Sequence, residues 1–181
     1  MKLRIDLEKE YGIVLEGGGA RGAYQIGVWK ALREAGMKIK GVAGTSVGAL
    51  NGALICMDDL GKAEEIWGNM TYSTVFNVDD SMIGKLKKFG VRSMKVTDAA
   101  AEFKRVVSDR GLDISPLKKL LEDTVDEERI RRSPRDFCAA SFSVTDRREE
   151  DFDVKSASPG TMKDMLMASA YFPGFKQEKI A

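Results

Sequence analysis

Residues 11–32 read YGIVLEGGGARGAYQIGVWKAL, and they limit the possible folds more than any other part of the chain. An apolar run ends in three consecutive glycines, and apolar residues then recur at helical spacing. The pattern predicts a buried strand over 11–15 and a helix over 20–35. A second short strand is expected over 40–43, followed by an apolar helix over 49–57. This alternation indicates an α/β fold with a parallel sheet.

The second half of the chain predicts a hairpin and further helices. Phe137–Thr145 and Asp151–Lys155 predict antiparallel strands, joined by the charged turn DRREE. Serine-proline pairs at 115–116 and 158–159 predict the beginnings of two helices, because serine caps a helix and proline fits its first turn. Another helix is expected over 97–109.

Composition places the chain among ordinary globular proteins. Its 181 residues, 43% hydrophobic and 31% charged, suit a single domain over 1–181. The last residues resemble the approach to another strand, so we expect this domain to be incomplete at its C-terminus. A net charge of +1 creates no overall field that would attract nucleic acid.

The cysteine and histidine content limits which catalytic groups and metal sites the chain can contain. Cys56 and Cys138 show no C-x-x-C spacing, which predicts free thiols in a reducing compartment rather than a metal site. With no signal peptide and no apolar run long enough to span a bilayer, we expect a cytoplasmic protein. There is no histidine, which excludes a Ser-His-Asp triad, a Cys-His pair and any histidine-ligated metal.

Gly17, Gly19 and Gly22 satisfy the dinucleotide pattern G-x-G-x-x-G between a strand and a helix. The acidic residue that would bind a ribose hydroxyl about 20 positions later is missing. A P-loop lysine-serine pair is missing too, so nucleotide binding is the weaker interpretation.

Gly44-Thr45-Ser46-Val47-Gly48 matches G-x-S-x-G, the pattern of a nucleophile elbow between a strand and a helix. The alternative is that Ser46 only caps the helix, and the motif alone does not decide between the two. If the two strands are parallel neighbours, both loops emerge at the same sheet edge. The backbone N–H groups of Gly18, Gly19 and Ala20 would then face Ser46 and stabilise an oxyanion. Without histidine, the simplest base is a carboxylate.

The paired motifs GGGARG at 17–22 and GTSVG at 44–48 resemble the patatin-like phospholipase family. The hairpin near 137–155 and ASAYFPGF at 168–175 are similar to the later part of that domain. The resemblance implies a three-layer α/β/α fold with a mainly parallel central sheet. It also implies a serine-aspartate acyl hydrolase of lipid esters that needs no metal or cofactor.

The resemblance assigns roles to residues of the first two motifs. Ser46 would be the nucleophile, and Arg21 would organise the glycine loop or help with the oxyanion, unless it is a plain surface arginine. The oxyanion loop would comprise Gly17, Gly18, Gly19, Ala20 and Arg21, and the other motif glycines are Gly22, Gly44 and Gly48.

One element of the family pattern is missing. The catalytic aspartate is expected in an Asp-Gly-Gly or Asp-Gly-Ala motif after the proline-glycine segment, and these 181 residues contain no Asp-Gly pair. We do not expect the chain to complete the reaction alone, and a non-catalytic lipid-binding or regulatory protein is the alternative function. Four other carboxylates are poor substitutes on this interpretation: Asp146, Asp151, Asp153 and Asp164.

The expected partner is a lipid or fatty-acyl ester, with peripheral membrane contact. Lys85, Lys87 and Lys88 lie beside apolar residues and suit either a solvated helix face or a flap that touches anionic lipid. The oligomeric state does not follow from the sequence.

Overall fold

The computed structural model describes residues 6–80, 111–172 and 175. The basic cluster at 85–88 and the helix expected over 97–109 lie outside these residues. The chain divides into two compact units. The first comprises Met1–Gly68 and Val125–Tyr171, and the second comprises Asn69–Thr124 and Phe172–Ala181.

The first unit is built on a four-stranded sheet in the order β1-β2-β3-β4. The first three strands are parallel, and β4 pairs antiparallel with β3. This mainly parallel sheet with flanking helices confirms the predicted α/β fold. The strands are β1 Glu10–Leu15, β2 Lys38–Thr45, β3 Asp136–Ser143 and β4 Arg148–Asp153.

The helices expected after the first two strands are present, whereas those over Leu60–Gly68 and Glu127–Arg132 were not predicted. A short 3-10 turn over Gly19–Arg21 leads into α1, and the next helix begins directly after Ser46. No helix of the described residues is long and apolar enough to cross a membrane. The helices are α1 Gly22–Glu34, α2 Val47–Cys56, α3 Leu60–Gly68, α6 Glu127–Arg132 and α7 Met162–Ala170, and in the second unit α4 Tyr72–Val75 and α5 Ser115–Thr124.

Two boundaries differ from the prediction. Arg148, Glu149 and Glu150 belong to β4 rather than to the hairpin turn, because their backbones pair with β3. The helix expected to begin at the second serine-proline pair begins at Met162 instead. Gly160 has a φ of 85°, which ends any helical path through residues 158–160.

The core of the first unit lies between one sheet face and α2. Val42 and Phe137 are register partners on this face, and they are 3% and 2% exposed. A Cβ on Gly52 would lie 2.6 Å from the Phe137 ring, so only glycine lets α2 approach so closely. α2 is apolar almost all round and is buried from Gly48 to Cys56 apart from Leu50, as expected for a helix inside a core.

The opposite sheet face carries no described helix of the first unit. Val14, Ala43 and Cys138 are partners across β1, β2 and β3, and therefore share one face. Val14 is 84% exposed. α2 and α7 pack on the other face, and α1, α3 and α6 contact α2, so a second helical layer is not among the elements described here.

The second unit is smaller. The backbone N–H of Asn77 donates to Asp113 at 2.9 Å, and their side chains bond at 3.0 Å. The rings of Phe76 and Phe175 meet edge to face with centroids 5.9 Å apart. The helix predicted at the first serine-proline pair is present as α5.

Candidate active site

Ser46 lies on the turn between β2 and α2, with φ 54° and ψ −126°. A serine rarely adopts positive φ, because its Cβ crowds the backbone there. Its side chain makes no capping bond to α2, and its hydroxyl has no hydrogen-bond partner among the described residues. Capping therefore does not explain this serine. The residue is partly exposed, and its hydroxyl is open to another role.

The two glycines of GTSVG allow this turn to be sharp. A Cβ on Gly44 would lie 2.4 Å from the carbonyl carbon of Gly48. A Cβ on Gly48 would lie 2.2 Å from the carbonyl oxygen of Leu15. Both clashes involve backbone atoms, which cannot rotate away as a side chain can. The first turn of α2 is therefore pressed against the ends of β1 and β2, with Ser46 at the bend.

The glycine loop after β1 lies beside Ser46. Leu15 and Gly44 are the last register partners of β1 and β2, so the next residues of the two strands leave the same sheet edge together. A Cβ on Gly17 would lie 3.3 Å from the Cβ of Ser46. The strands are parallel neighbours and their two loops meet, as the sequence predicted.

The loop leaves several of its backbone donors unused. Gly18 and Gly19 have φ values of 152° and 55°. The N–H groups of Gly18, Gly19 and Ala20 donate no hydrogen bond to another described residue. Such a row of unpaired N–H groups beside a hydroxyl is chemically suited to bind an anion.

Arg21 and Gly22, the last two residues of GGGARG, make different kinds of contact. Arg21 is exposed, and its aliphatic stem covers Gly18, with Cδ 3.4 Å from where a Cβ of Gly18 would lie. Arg21 makes no ion pair with a described residue. At Gly22 a Cβ would lie 2.5 Å from the Trp67 ring and 2.6 Å from Val47, so a glycine is required for packing.

A buried amide network holds both ends of the glycine loop. Asn51 of α2 is 1% exposed, and its Nδ2 donates to the carbonyl of Gly22 at 3.0 Å and to Oε1 of Gln25 at 2.9 Å. Gln25 Nε2 donates to the carbonyl of Glu16 at 2.7 Å. The Trp67 indole donates to Asn51 Oδ1 at 2.9 Å. Because an indole N–H can only donate, this bond fixes the orientation of both amides.

A second polar contact reaches Ser46 from α7. The backbone N–H of Ser46 donates to Ser169 Oγ at 2.9 Å, and this hydroxyl donates to the carbonyl of Ala140 at 2.5 Å. The Thr45 hydroxyl donates to the same carbonyl at 3.3 Å. Ala140 faces Thr45 in the last register pair of β2 and β3, so its carbonyl is available at the sheet edge.

The four substitute carboxylates do not meet Ser46. Asp146 accepts a bond from the Ser143 hydroxyl, and Asp153 accepts one from the backbone N–H of Lys155. Asp151 lines the sheet face opposite α2, and Asp164 is exposed on the first turn of α7. No group of acidic and cysteine side chains among the described residues is arranged to hold a metal ion.

Sequence reasoning missed the residues that support the site. Asn51 is the lone strongly polar residue in VGALNGALIC, and a single amide in such an apolar helix is a signal for a buried network. Ser169 is the polar residue in MLMASA, the otherwise apolar second half of α7. Gln25 carries no signal of its own, because an isolated glutamine on α1 also suits a surface.

Comparison with known proteins identifies similar sequences. A family model described as patatin-like phospholipase matches residues 13–178. A lysophospholipase nte1 of Aspergillus terreus is 46% identical over 76 residues, which cover 39% of this chain and 5% of that protein. A neuropathy target esterase sws of Drosophila sechellia is 60% identical over 47 residues, covering 26% of this chain and 3% of that protein. The chain thus spans a small part of these relatives.

A solved structure supports the fold. VipD from Legionella pneumophila superposes with a TM-score of 0.50 and 14% sequence identity. The match covers 88% of this chain and 41% of VipD. At this identity the likeness concerns the α/β fold and not the chemistry of the site.

Proposed function

Because this chain belongs to the patatin-like phospholipase family, we propose that it supplies the nucleophile and oxyanion loop of an enzyme that hydrolyses lipid carboxylic esters. At the family level its relatives are lysophospholipases and esterases. The observation that carries the proposal is the free hydroxyl of Ser46, on a strained turn beside a loop with unused N–H donors. Strained backbone of this kind concentrates at functional sites.

The proposed reaction proceeds through an acyl-enzyme. Ser46 Oγ bonds to the ester carbonyl carbon while its proton passes to a carboxylate base. The oxyanion accepts hydrogen bonds from the N–H groups of Gly18, Gly19 and Ala20. The ester C–O bond then breaks, the alcohol leaves with the proton, and water releases the acid. Loss of one such donor typically costs about 10²–10³-fold in rate, so the loop contributes several kcal/mol.

The proposed base is the aspartate of the Asp-Gly motif that the family resemblance implies, and these 181 residues contain no Asp-Gly pair. The described carboxylates near the sheet do not bond Ser46, which is the observation favouring the alternative of a non-catalytic lipid-binding protein. The two functions differ in one measurable property. An enzyme activates Ser46 toward electrophiles, and a binding protein does not.

The test uses the longest natural protein that contains this chain. We expect a fluorophosphonate probe to label Ser46, and a short p-nitrophenyl ester to be hydrolysed. Ser46→Ala should abolish labelling and lower hydrolysis by about 10³-fold or more, because the nucleophile is lost. Ser158→Ala is the matched control, since it removes an exposed serine outside the site. Labelling that persists in Ser46→Ala, or an unlabelled wild-type protein, contradicts the proposal.

A further inference from the structure

We infer that Ser169 is a positioning residue, which holds the backbone of Ser46 in the conformation needed for attack. This inference rests on the proposed function. Ser169 belongs to α7, far along the chain from the GTSVG motif. Its hydroxyl is the side-chain partner of the Ser46 backbone N–H.

The direction of each hydrogen bond at Ser169 is unambiguous. A backbone N–H can only donate, so Ser169 Oγ accepts from Ser46. A backbone carbonyl can only accept, so the hydroxyl proton of Ser169 goes to Ala140. The hydroxyl therefore bridges two backbone groups, one at the bend and one at the end of β3. Neither alanine nor an apolar residue can make both bonds.

The bridge completes the support of the strained turn. The carbonyl of Ser46 accepts bonds from the N–H groups of Ala49 and Leu50, at 2.9 and 3.2 Å, which tie it to α2. The N–H of Ser46 is tied to α7 through Ser169. A non-glycine residue at this φ and ψ costs about 1–3 kcal/mol and persists only where its surroundings hold it. Without the bridge, the backbone N–H of Ser46 loses its hydrogen bond to α7.

The consequence for the reaction is geometric. Ser46 Oγ must point toward a carbonyl whose oxygen lies at the glycine loop, and rotation of the Ser46 peptide moves it away. Misplacement of a reacting atom by about 1 Å can cost about 10²-fold in rate. Ser169→Ala should therefore lower kcat and the rate of fluorophosphonate labelling by about 10- to 100-fold. KM should change by less than about threefold, because Ser169 is not placed to touch the ester.

Ser141→Ala provides the matched control. The Ser141 hydroxyl donates to the carbonyl of Ala168 at 2.8 Å, so it also joins β3 to α7, but it does not touch Ser46. If Ser169 only held the two elements together, the two alanine variants would lose activity alike. Ser169→Thr keeps the hydroxyl and should restore much of the labelling rate.

A second readout does not depend on catalysis. In the natural protein, NMR should show faster hydrogen exchange at the Ser46 amide in Ser169→Ala than in wild type or Ser141→Ala, because that amide loses its acceptor. Equal exchange and equal kcat in Ser169→Ala and wild type overturn the inference, as do equal losses in both alanine variants. An unlabelled wild type is a failure of the proposed function instead, and amide exchange then decides the role of Ser169.

Discussion

At the scale of single residues, the site presents a hydroxyl and backbone N–H groups that make no hydrogen bond to other described residues. Ser46 is the N-cap residue of α2, but its side chain makes no capping hydrogen bond, and its backbone has a positive φ. The N–H groups of Gly18 and Gly19 likewise donate to no other described residue. These N–H groups are exposed to water in the resting protein, so an anion at that point would replace water as their acceptor.

The two cysteines lie in different environments. Cys56 is 2% exposed, and burial raises the pKa of its thiol to about 12. Burial also raises the pKa of Cys138, helped by Asp151 and Asp153, but this thiol lines the sheet face opposite α2. Neither cysteine is suited to be a nucleophile, because only the thiolate reacts readily.

We expect the two thiols to react with iodoacetamide at different rates at pH 8. Both pKa values are raised, so both thiols are largely protonated, and rates should rise with pH. Cys138 should react at least about 10-fold faster than Cys56, because reagent can reach it. Mass spectrometry of the alkylated protein measures this difference. Cys138→Ser should remove the faster reaction, and equal rates in the native protein would contradict the description of Cys56 as buried.

At the scale of the elements, close backbone approach decides where α2 begins. Gly48 lies against the end of β1, and Gly44 lies against the first turn of α2. Gly27 is a different case, because it is exposed in the middle of α1 with no atom within 4 Å of its Cβ position. Replacement of glycine by alanine should therefore destabilise the fold at Gly48 and stabilise it at Gly27.

Gly48→Ala should lower the free energy of unfolding by about 3 kcal/mol or more, because its new methyl group overlaps the carbonyl of Leu15. Gly27→Ala should raise it by about 0.5–1 kcal/mol, since alanine restricts the unfolded chain and suits a helix. Urea denaturation of both variants measures these changes. A stable Gly48→Ala protein would contradict the close contact between α2 and β1.

At the scale of the whole first unit, the Asn51 network connects elements that are distant in sequence. It joins α1, α2 and α3 through Gln25, Asn51 and Trp67, and it reaches the glycine loop at Glu16 and Gly22. The loop that faces Ser46 is thus held by the helix that begins after Ser46. Polar groups buried in this way must be satisfied, because each unpaired one costs about 1–3 kcal/mol.

Asn51→Leu should lower the free energy of unfolding by about 3 kcal/mol or more, because it leaves the Trp67 indole and the Gly22 carbonyl without partners. Gln25→Met should lower the free energy of unfolding by only about 1 kcal/mol, since Gln25 is half-buried and water can replace its hydrogen bonds. Thermal or urea unfolding measures both variants. The reverse order would show that the network does not stabilise the fold as its burial implies.

The sequence by itself determined the four strands and the family, but only part of the helices, since α3, α4 and α6 were not predicted. Short apolar runs before glycine became β1 and β2, and the two motifs marked the sheet edge where their loops meet. These features depend on neighbours in the chain, so local patterns are sufficient to reveal them. The resemblance also named Ser46 and the glycine loop, whose catalytic roles remain predictions.

Tertiary structure alone decided what supports the site. Ser169 and Ala140 are far from Ser46 in the chain, and only the packing of α7 against β3 brings them to its backbone. Tertiary structure also decided that Ser46 makes no capping bond to α2 and that no described helix of the first unit covers one sheet face. The physical reason is that a hydrogen bond between distant segments depends on how folded elements pack, and no local pattern of residues encodes that arrangement.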